Sequence, residues 1–208
     1  MAFSQFEHVN MVLEKYPLRI KREPFLPDRA IEIPSWLAEN IRFGLEKKQM
    51  NDNEYFYRET FVYPVLLEVW KRHRQLRLWS HQSIYYTEEL SGASDYLLSY
   101  IPDTVIHHLI TTPLLAVMEA KKENFTEGWG QCLAELIACQ RLNDQPQMSI
   151  YGIVTTGELW QVGKLWGDTF TEHPFPFAID NPNLIFGVLD WIFTTCEQEL
   201  ASAHVNKA

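Results

Sequence analysis

What this 208-residue chain lacks narrows its reading first. No apolar run approaches the ~18 residues needed to cross a bilayer, so a membrane-spanning helix is not expected. The opening "MAFSQFEHVNMVLEKY" has neither the basic start nor the apolar block of a secretory leader. Cysteine is scarce: Cys132, Cys139 and Cys196 are three in number and form no C-x-x-C. That leaves neither a disulfide framework nor zinc-ligand spacing. Cys132 and Cys139 are expected inside a helix face as small apolar residues. Glycine-rich phosphate cradles of the G-x-x-x-x-G-K-S/T or G-x-G-x-x-G type are missing, so nucleotide hydrolysis and dinucleotide binding have no support. No G-x-S-x-G marks a serine hydrolase. Positive charge is short as well, with 18 Lys and Arg against 27 Asp and Glu and a net charge of −9. Such a balance opposes broad attraction to nucleic acid, because phosphate neutralisation needs clustered cations. The expectation is a soluble, cytoplasmic protein of a reducing compartment with no membrane partner.

What is present is an ordinary globular balance, 46% apolar and 22% charged, in a chain long enough for one well-buried domain spanning 1–208. The first 50 residues read as a helical extension: an amphipathic stretch from Phe3 to Lys15, an irregular or extended Pro-containing segment, then a helix in "SWLAENIRFGLEKK" capped by Ser35. A longer helical pattern runs from about Asp52 to Arg74. At 100° per residue Tyr55, Val62, Leu66 and Val69 fall in one stripe, with Pro64 opposite and bending the helix from its exposed side. Glu59 stands at the centre of that apolar stripe. The period then changes to two. "RLWSHQSIYYTEE" and "GASDYLLSY" read as neighbouring strands joined by a turn at Leu90 to Gly92, and "LLAVMEA" as a fully covered central strand. "IPDTVIHHLITTP" is the loop before it. Helical spacing returns from Asn124 to about Arg141. "SIYGIVTT" and "LWQVGKLW" form a hairpin turned by Gly157, and Asn181 with Pro182 opens a final helix over 181–204. Three strands, a crossover helix and a further strand give a mixed sheet with helices on both faces, an α/β (α+β) sandwich with its core over 51–167.

Three carboxylates stand out by placement. Asp95 interrupts a strand, where aspartate is disfavoured. Glu119 ends the buried central strand, with Lys121 two residues on and therefore on the same face. Glu59 lies in the helix stripe. If the second and third strands pair, Asp95 and Glu119 lie side by side, and one would take up a proton unless a cation compensated. Hard divalent cations take oxygen from one or two carboxylates plus substrate phosphate. Lys121 could then hold an attacking water or steady charge on a phosphate. Each residue also has a plainer reading: a salt bridge for Glu119 with Lys121, a turn cap for Asp95, a rim position for Glu59. "KRHRQLR" packs Lys71, Arg72, Arg74 and Arg77 around His73; it is a solvated helix end on one reading and a phosphate-binding patch on the other. His107 and His108 are adjacent but have no further ligands in view, and His81 and His173 are isolated.

"SGASDYLLSY", "LLAVMEAKK" and "EGWGQCLAEL" together resemble the PD-(D/E)xK nuclease superfamily, nearest in flavour to the nuclease domain of type I restriction-enzyme motor subunits and related bacterial proteins. The resemblance covers roughly Glu54 to Gly163. It implies a restriction-endonuclease-like αβββαβ core and a Mg²⁺ (or Mn²⁺) site held by Asp95 and Glu119. Lys121 would aid the attacking water. A helix glutamate, Glu59 with Glu54 as fallback, would complete the site, and Gln131 would sit in the helix that follows. The residue before the motif aspartate, usually Pro, is Ser94. The residue four after the glutamine, Tyr in some branches, is Glu135.

Two functions remain open at this level. One is a Mg²⁺-dependent nuclease acting on DNA, with Lys122, Lys71, Arg72, Arg74 and Arg77 on phosphates. The other is a non-catalytic regulatory or interaction protein on the same fold. A homodimer could supply binding surface that one chain lacks.

Overall fold

The computed structural model describes residues 2–101, 110–121 and 124–205 of the chain. In order the elements are a 3₁₀ turn at Phe3–Gln5, α1 (Val9–Lys15), β1 (Arg19–Arg22), α2 (Ser35–Lys47) and α3 (Glu54–Tyr57). A π turn, Arg58–Val62, leads into α4 (Tyr63–Trp70), β2 (Leu76–Ser80), β3 (Ser83–Tyr85), β4 (Ser91–Ala93) and β5 (Tyr96–Tyr100). The chain continues through β6 (Leu114–Ala120), α5 (Phe125–Asn143), β7 (Ile150–Thr155), β8 (Leu159–Trp166), β9 (Thr169–Glu172), β10 (Phe177–Ala178) and α6 (Pro182–Val205). No helix among the described residues is long and apolar enough to cross a membrane.

Eight strands form one sheet in the order β1-β9-β8-β7-β6-β5-β2, with β10 paired to β8. β6 and β7 pair in parallel through α5, as a strand–helix–strand crossover demands, while β2, β5 and β6 are antiparallel neighbours. Every residue of β6 is buried, which explains its unbroken apolar run: the strand is covered on both faces. One face packs against α2, α4 and α6 through residues such as Leu37, Leu66, Met118 and Phe193. The other packs against α1 and α5 through Val12, Val117, Leu133 and Leu136. The helix over 54–70 followed by β2, β5, β6, α5 and β7 keeps the expected αβββαβ order. The mixed central sheet flanked by helices is compatible with a restriction-endonuclease-like fold.

Several expectations need correction. Ser35 is the first residue of α2 and makes no side-chain cap; Pro34 occupies the cap position. The Pro-containing segment expected to be irregular or extended does carry a strand, β1, which joins the sheet edge in parallel with β9. The helix expected from Asp52 to Arg74 begins at Glu54, ends at Trp70 and contains a π turn in which the Tyr63 N–H donates to the Arg58 carbonyl five residues back. Pro64 follows at once; its ring would clash with the carbonyl four residues earlier in a regular helix, and the wider turn relieves this. The extra residue rotates the preceding positions by about 100° relative to α4. The stripe therefore slips: Arg58, Phe61, Val62, Val65, Leu66 and Val69 are buried, whereas Tyr55 and Glu59 are exposed.

Two glycines set the frame of the site. Gly157 turns the β7–β8 hairpin at φ +84°, and a Cβ there would stand 3.1 Å from Tyr57 Cβ, so the hairpin tip can lie against α3. Gly130 on α5 admits the backbone of Phe6 and His8, which would come within 2.3 and 2.6 Å of a Cβ. The N-terminal segment thereby closes directly over the helix.

Candidate active site at the β5–β6 end of the sheet

Antiparallel register brings the sequence-distant carboxylates together. Tyr96 pairs with Met118, so the preceding Asp95 falls beside Glu119 at one end of the sheet. The Asp95 N–H donates to Glu119 Oε1 at 3.3 Å, and the Ala120 N–H donates to Asp95 Oδ2 at 2.8 Å. Lys121, just beyond β6, places Nζ 3.3 Å from Glu119 Oε2. These three expected residues converge.

Their electrostatics are unusual for a strand end. Glu119 is fully buried. Burial, then the neighbouring Asp95 charge, push its carboxyl up to about 7 against the pull of Lys121. Burial lowers the Lys121 ammonium, but Glu119, Asp95 and Glu54 outweigh it and hold the group above its ordinary value. Lys121 is therefore a charged donor and not a base. Glu54, the fallback for Glu59, is half-buried and raised, first by burial, and feels both Lys121 and Asp95. Glu59 itself is exposed and turned away by the π turn.

Behind Glu119 sits a second buried carboxyl. Glu135 of α5 is fully buried, and burial followed by the Glu119 charge raises it well above the carboxylate range, which favours its protonated form. Gln131, expected at the site, reaches Glu135 Oε1 with Nε2 at 3.4 Å and thus acts on Glu119 only through Glu135. Ser94 also faces Glu135, but its hydroxyl makes no hydrogen bond of good geometry. The two departures from the nuclease pattern, Ser94 and Glu135, are thus neighbours inside one pocket wall.

Arg58 and His81 were not singled out as site residues. Arg58 is 6% exposed, with Nη1 3.0 Å from Asp95 Oδ1 and 3.9 Å from Glu54 Oε1. Its Nη2 lies 3.0 Å from His81 Nδ1. His81, read as isolated, adopts φ 54° and donates its backbone N–H to the Asp95 carbonyl at 3.0 Å. A left-handed non-glycine residue beside a carboxylate pair is a feature that functional sites hold against strain. The signal for Arg58 was its place four residues after Glu54 on an apolar helix; the His81 backbone left no mark in the sequence.

Among the described residues, the buried side-chain polar atoms without a hydrogen-bond partner are Arg58 Nε, Ser94 Oγ, Glu119 Oε2 and Glu135 Oε2, all in this pocket. No three His, Cys, Asp or Glu side chains among the described residues are arranged as a complete metal cage. The donor set nevertheless fits a Mg²⁺-like ion, which takes one or two carboxylates and fills its remaining positions with water and substrate oxygens. Asp95 and Glu119 are the residues that would hold it, with Glu119 Oε2 facing only the Lys121 ammonium.

The basic segment lies elsewhere. Leu76 pairs with Tyr100 and Ser80 with Tyr96, so Lys71 to Arg77 stand at the far end of β2 from Asp95, about 16 Å along the strand. Lys71 pairs with Glu68, Arg72 Nε lies 2.6 Å from Asp190, and the Arg77 guanidinium lies over Trp70 and Trp79. Arg74 is exposed. The structure does not bring these cations to the carboxylates. Lys122, His107 and His108 lie outside the described residues.

The chain matches no family model and no curated protein. Among solved structures it is similar to a chain of the cryo-EM structure of a DrdV–DNA complex, at 18% identity and a TM-score of 0.45. The likeness covers 76% of this chain and 14% of that one.

Proposed function

We propose that this chain is a nuclease of the PD-(D/E)xK type, hydrolysing phosphodiester bonds of DNA with Mg²⁺, or Mn²⁺ in its place. One observation carries the reading: a fully buried carboxylate, Glu119, ends the central strand beside the Asp95 carboxylate, and its Oε2 faces the Lys121 ammonium at 3.3 Å without a hydrogen bond of good geometry. Burying two neighbouring carboxylates opposite a single poorly aligned ammonium is costly, and a fold retains such an arrangement where a ligand completes the shell. A bound divalent cation would supply a Lewis acid and an activated water.

The chain's own residues divide the remaining work. Asp95 and Glu119 hold the cation, with Asp95 fixed by the Ala120 N–H and Glu119 Oε1 by the Asp95 N–H. Lys121, kept charged by the surrounding carboxylates, donates to the attacking water or to a phosphate oxygen. Glu135 backs Glu119, and its raised carboxyl favours a neutral form that limits the negative charge in the pocket wall.

Incubation of duplex and single-stranded DNA with Mg²⁺ or Mn²⁺, and with chelator, tests this. Cleavage is expected only with metal. Asp95→Asn and Lys121→Ala should each lower it by at least ~100-fold, the scale of losing one electrostatic contact to the transition state. Metal-dependent cleavage that survives either change would reject the assignment.

A second reading has one observation in its favour. Arg58 already neutralises Asp95 at 3.0 Å, so the pocket has a cation of its own. On that reading the protein is a non-catalytic interaction module, and neither Mg²⁺ nor Mn²⁺ raises its melting temperature.

A further inference from the structure

Both oxygens of Asp95 are engaged: Oδ2 by the Ala120 N–H at 2.8 Å and Oδ1 by Arg58 Nη1 at 3.0 Å. Arg58 sits between two carboxylates, Asp95 and Glu54, on the side of Asp95 opposite the strand backbone. Oδ1, which the guanidinium now covers, is the Asp95 oxygen not tied to the strand backbone, and a divalent ion ligated there would meet Arg58. Two cations, one doubly charged, repel strongly in a buried site, because the low dielectric weakens screening. Ligation of that oxygen at the ~2.1 Å that Mg²⁺ requires therefore weakens the hold of the guanidinium on it.

Arg58 also has somewhere to go. Its guanidinium carbon already lies 5.5 Å from the Tyr55 ring centroid and 5.7 Å from that of Tyr96. Both rings can hold a cation released from a carboxylate. Tyr55 is 60% exposed, so an Arg58 resting on it would face solvent at the pocket mouth. The residue begins the π turn, whose strained hydrogen-bond ladder is the natural place for a small helical adjustment. Arg58 Nε has no hydrogen-bond partner, which leaves the guanidinium held through its two terminal nitrogens alone.

Charge counting gives the reason for an exchange. Asp95, Glu119 and Glu54 supply three carboxylates, and Arg58 and Lys121 two cations. Adding a divalent ion leaves the ionised pocket with one surplus positive charge, which a single phosphodiester anion balances. We infer that Arg58 is a resident counter-ion of Asp95 that a divalent cation displaces, and that the freed guanidinium then binds the substrate phosphate. This rests on the metal-dependent reading above. It goes further by making metal affinity and phosphate affinity two ends of one side chain's movement, with Arg–phosphate bidentate geometry as the chemistry of the second state.

The test measures Mn²⁺ binding calorimetrically to the wild-type protein, Arg58→Met and Asp95→Asn, and then binding of a phosphorothioate oligonucleotide with Ca²⁺ present. Arg58→Met should bind Mn²⁺ at least tenfold more tightly than wild type without DNA, and the oligonucleotide about tenfold more weakly. Equal or weaker Mn²⁺ binding by Arg58→Met, or unchanged oligonucleotide binding, overturns the inference and leaves the nuclease reading standing. Absence of Mn²⁺ binding to both wild type and Arg58→Met overturns both. Should Arg58→Met fail to fold, the guanidinium ¹⁵N resonances of wild-type protein decide: Mg²⁺ must shift the Arg58 signals, and signals that stay in place as metal saturates refute displacement.

Discussion

Two clusters of charged and polar side chains among the described residues are built on different terms. At the C-terminal end of α4, His73 is flanked by Glu197 Oε2 at 2.9 Å and Asp190 Oδ1 at 3.3 Å, while Arg72 Nε closes on Asp190 at 2.6 Å. Its ring packs on Phe193 at 5.4 Å. None of the partnerless buried atoms lies there. At the Asp95 end the same kinds of residue are more deeply buried, yet four polar atoms lack a hydrogen bond of good geometry. A closed network ties α4 to α6 and explains why "KRHRQLR" is basic without being a phosphate track. An open network keeps unspent capacity for a ligand. The difference separates charge that serves the fold from charge that serves a site.

Removing one member from each cluster should therefore give effects of opposite sign. Asp190→Ala leaves His73 and Arg72 without their shared acceptor and is expected to cost about 3 kcal/mol, the lower end for breaking a buried pair because Arg72 is half-exposed. Urea denaturation reads this, and Mn²⁺ affinity should not change. Equal stability of Asp190→Ala and wild type would remove the distinction between the clusters.

At the site the expected sign is reversed and depends on pH. The Glu119 carboxyl is raised from an ordinary 4.5 to about 7 in the folded chain, chiefly by burial. Below 4.5 the group is protonated both folded and unfolded, and it contributes nothing. Between 4.5 and 7 the folded state binds the extra proton, so stability falls as pH rises. Above 7 the full penalty is present. Glu119→Gln should accordingly stabilise the metal-free protein by on the order of 2 kcal/mol at pH 8 and leave it unchanged at pH 4, once the lost Lys121 pairing is set against the shift. Saturating Mg²⁺ should narrow the pH 8 gap by stabilising wild type alone. A Glu119→Gln protein less stable than wild type at pH 8 in chelator would mean that the carboxylate is satisfied internally.

How much of this was legible follows from which forces are local. β6, α5, the β7–β8 hairpin and α6 announced themselves through apolar period, because their burial depends on their own side chains. The meeting of Asp95, Glu119 and Lys121 followed from strand alternation and one assumed pairing. β1, β9 and β10 were not read: they have four, four and two residues, and partners distant in sequence decide their state. Arg58 was hidden because a cation on a helix ordinarily reads as solvated, and Glu135 because it looked like a departure from a pattern. Glu59 was misplaced for a specific reason. The 100° step assumes an unbroken α-helix, and the π turn ahead of Pro64 breaks the phase within one turn.

That phase slip supplies the finest test of the contrast between charge inside the site and charge outside it. Glu54 and Glu59 are five residues apart on neighbouring turns, and the apolar stripe of a regular helix would favour Glu59 as the third carboxylate. The structure separates them: Glu54 lies 3.9 Å from Arg58 Nη1 and shares the field of Asp95 and Lys121, while Glu59 is exposed. Glu54→Gln removes one negative charge from the pocket and should weaken Mn²⁺ binding about tenfold, ~1.4 kcal/mol, with a smaller change in stability. Glu59→Gln should leave affinity within twofold and stability within ~0.5 kcal/mol, as for a surface substitution. If instead Glu59→Gln weakens metal binding and Glu54→Gln does not, the π turn is absent from the metal-bound state. Metal binding would then reset the helix phase and bring the original stripe, with Glu59 at its centre, back over the site.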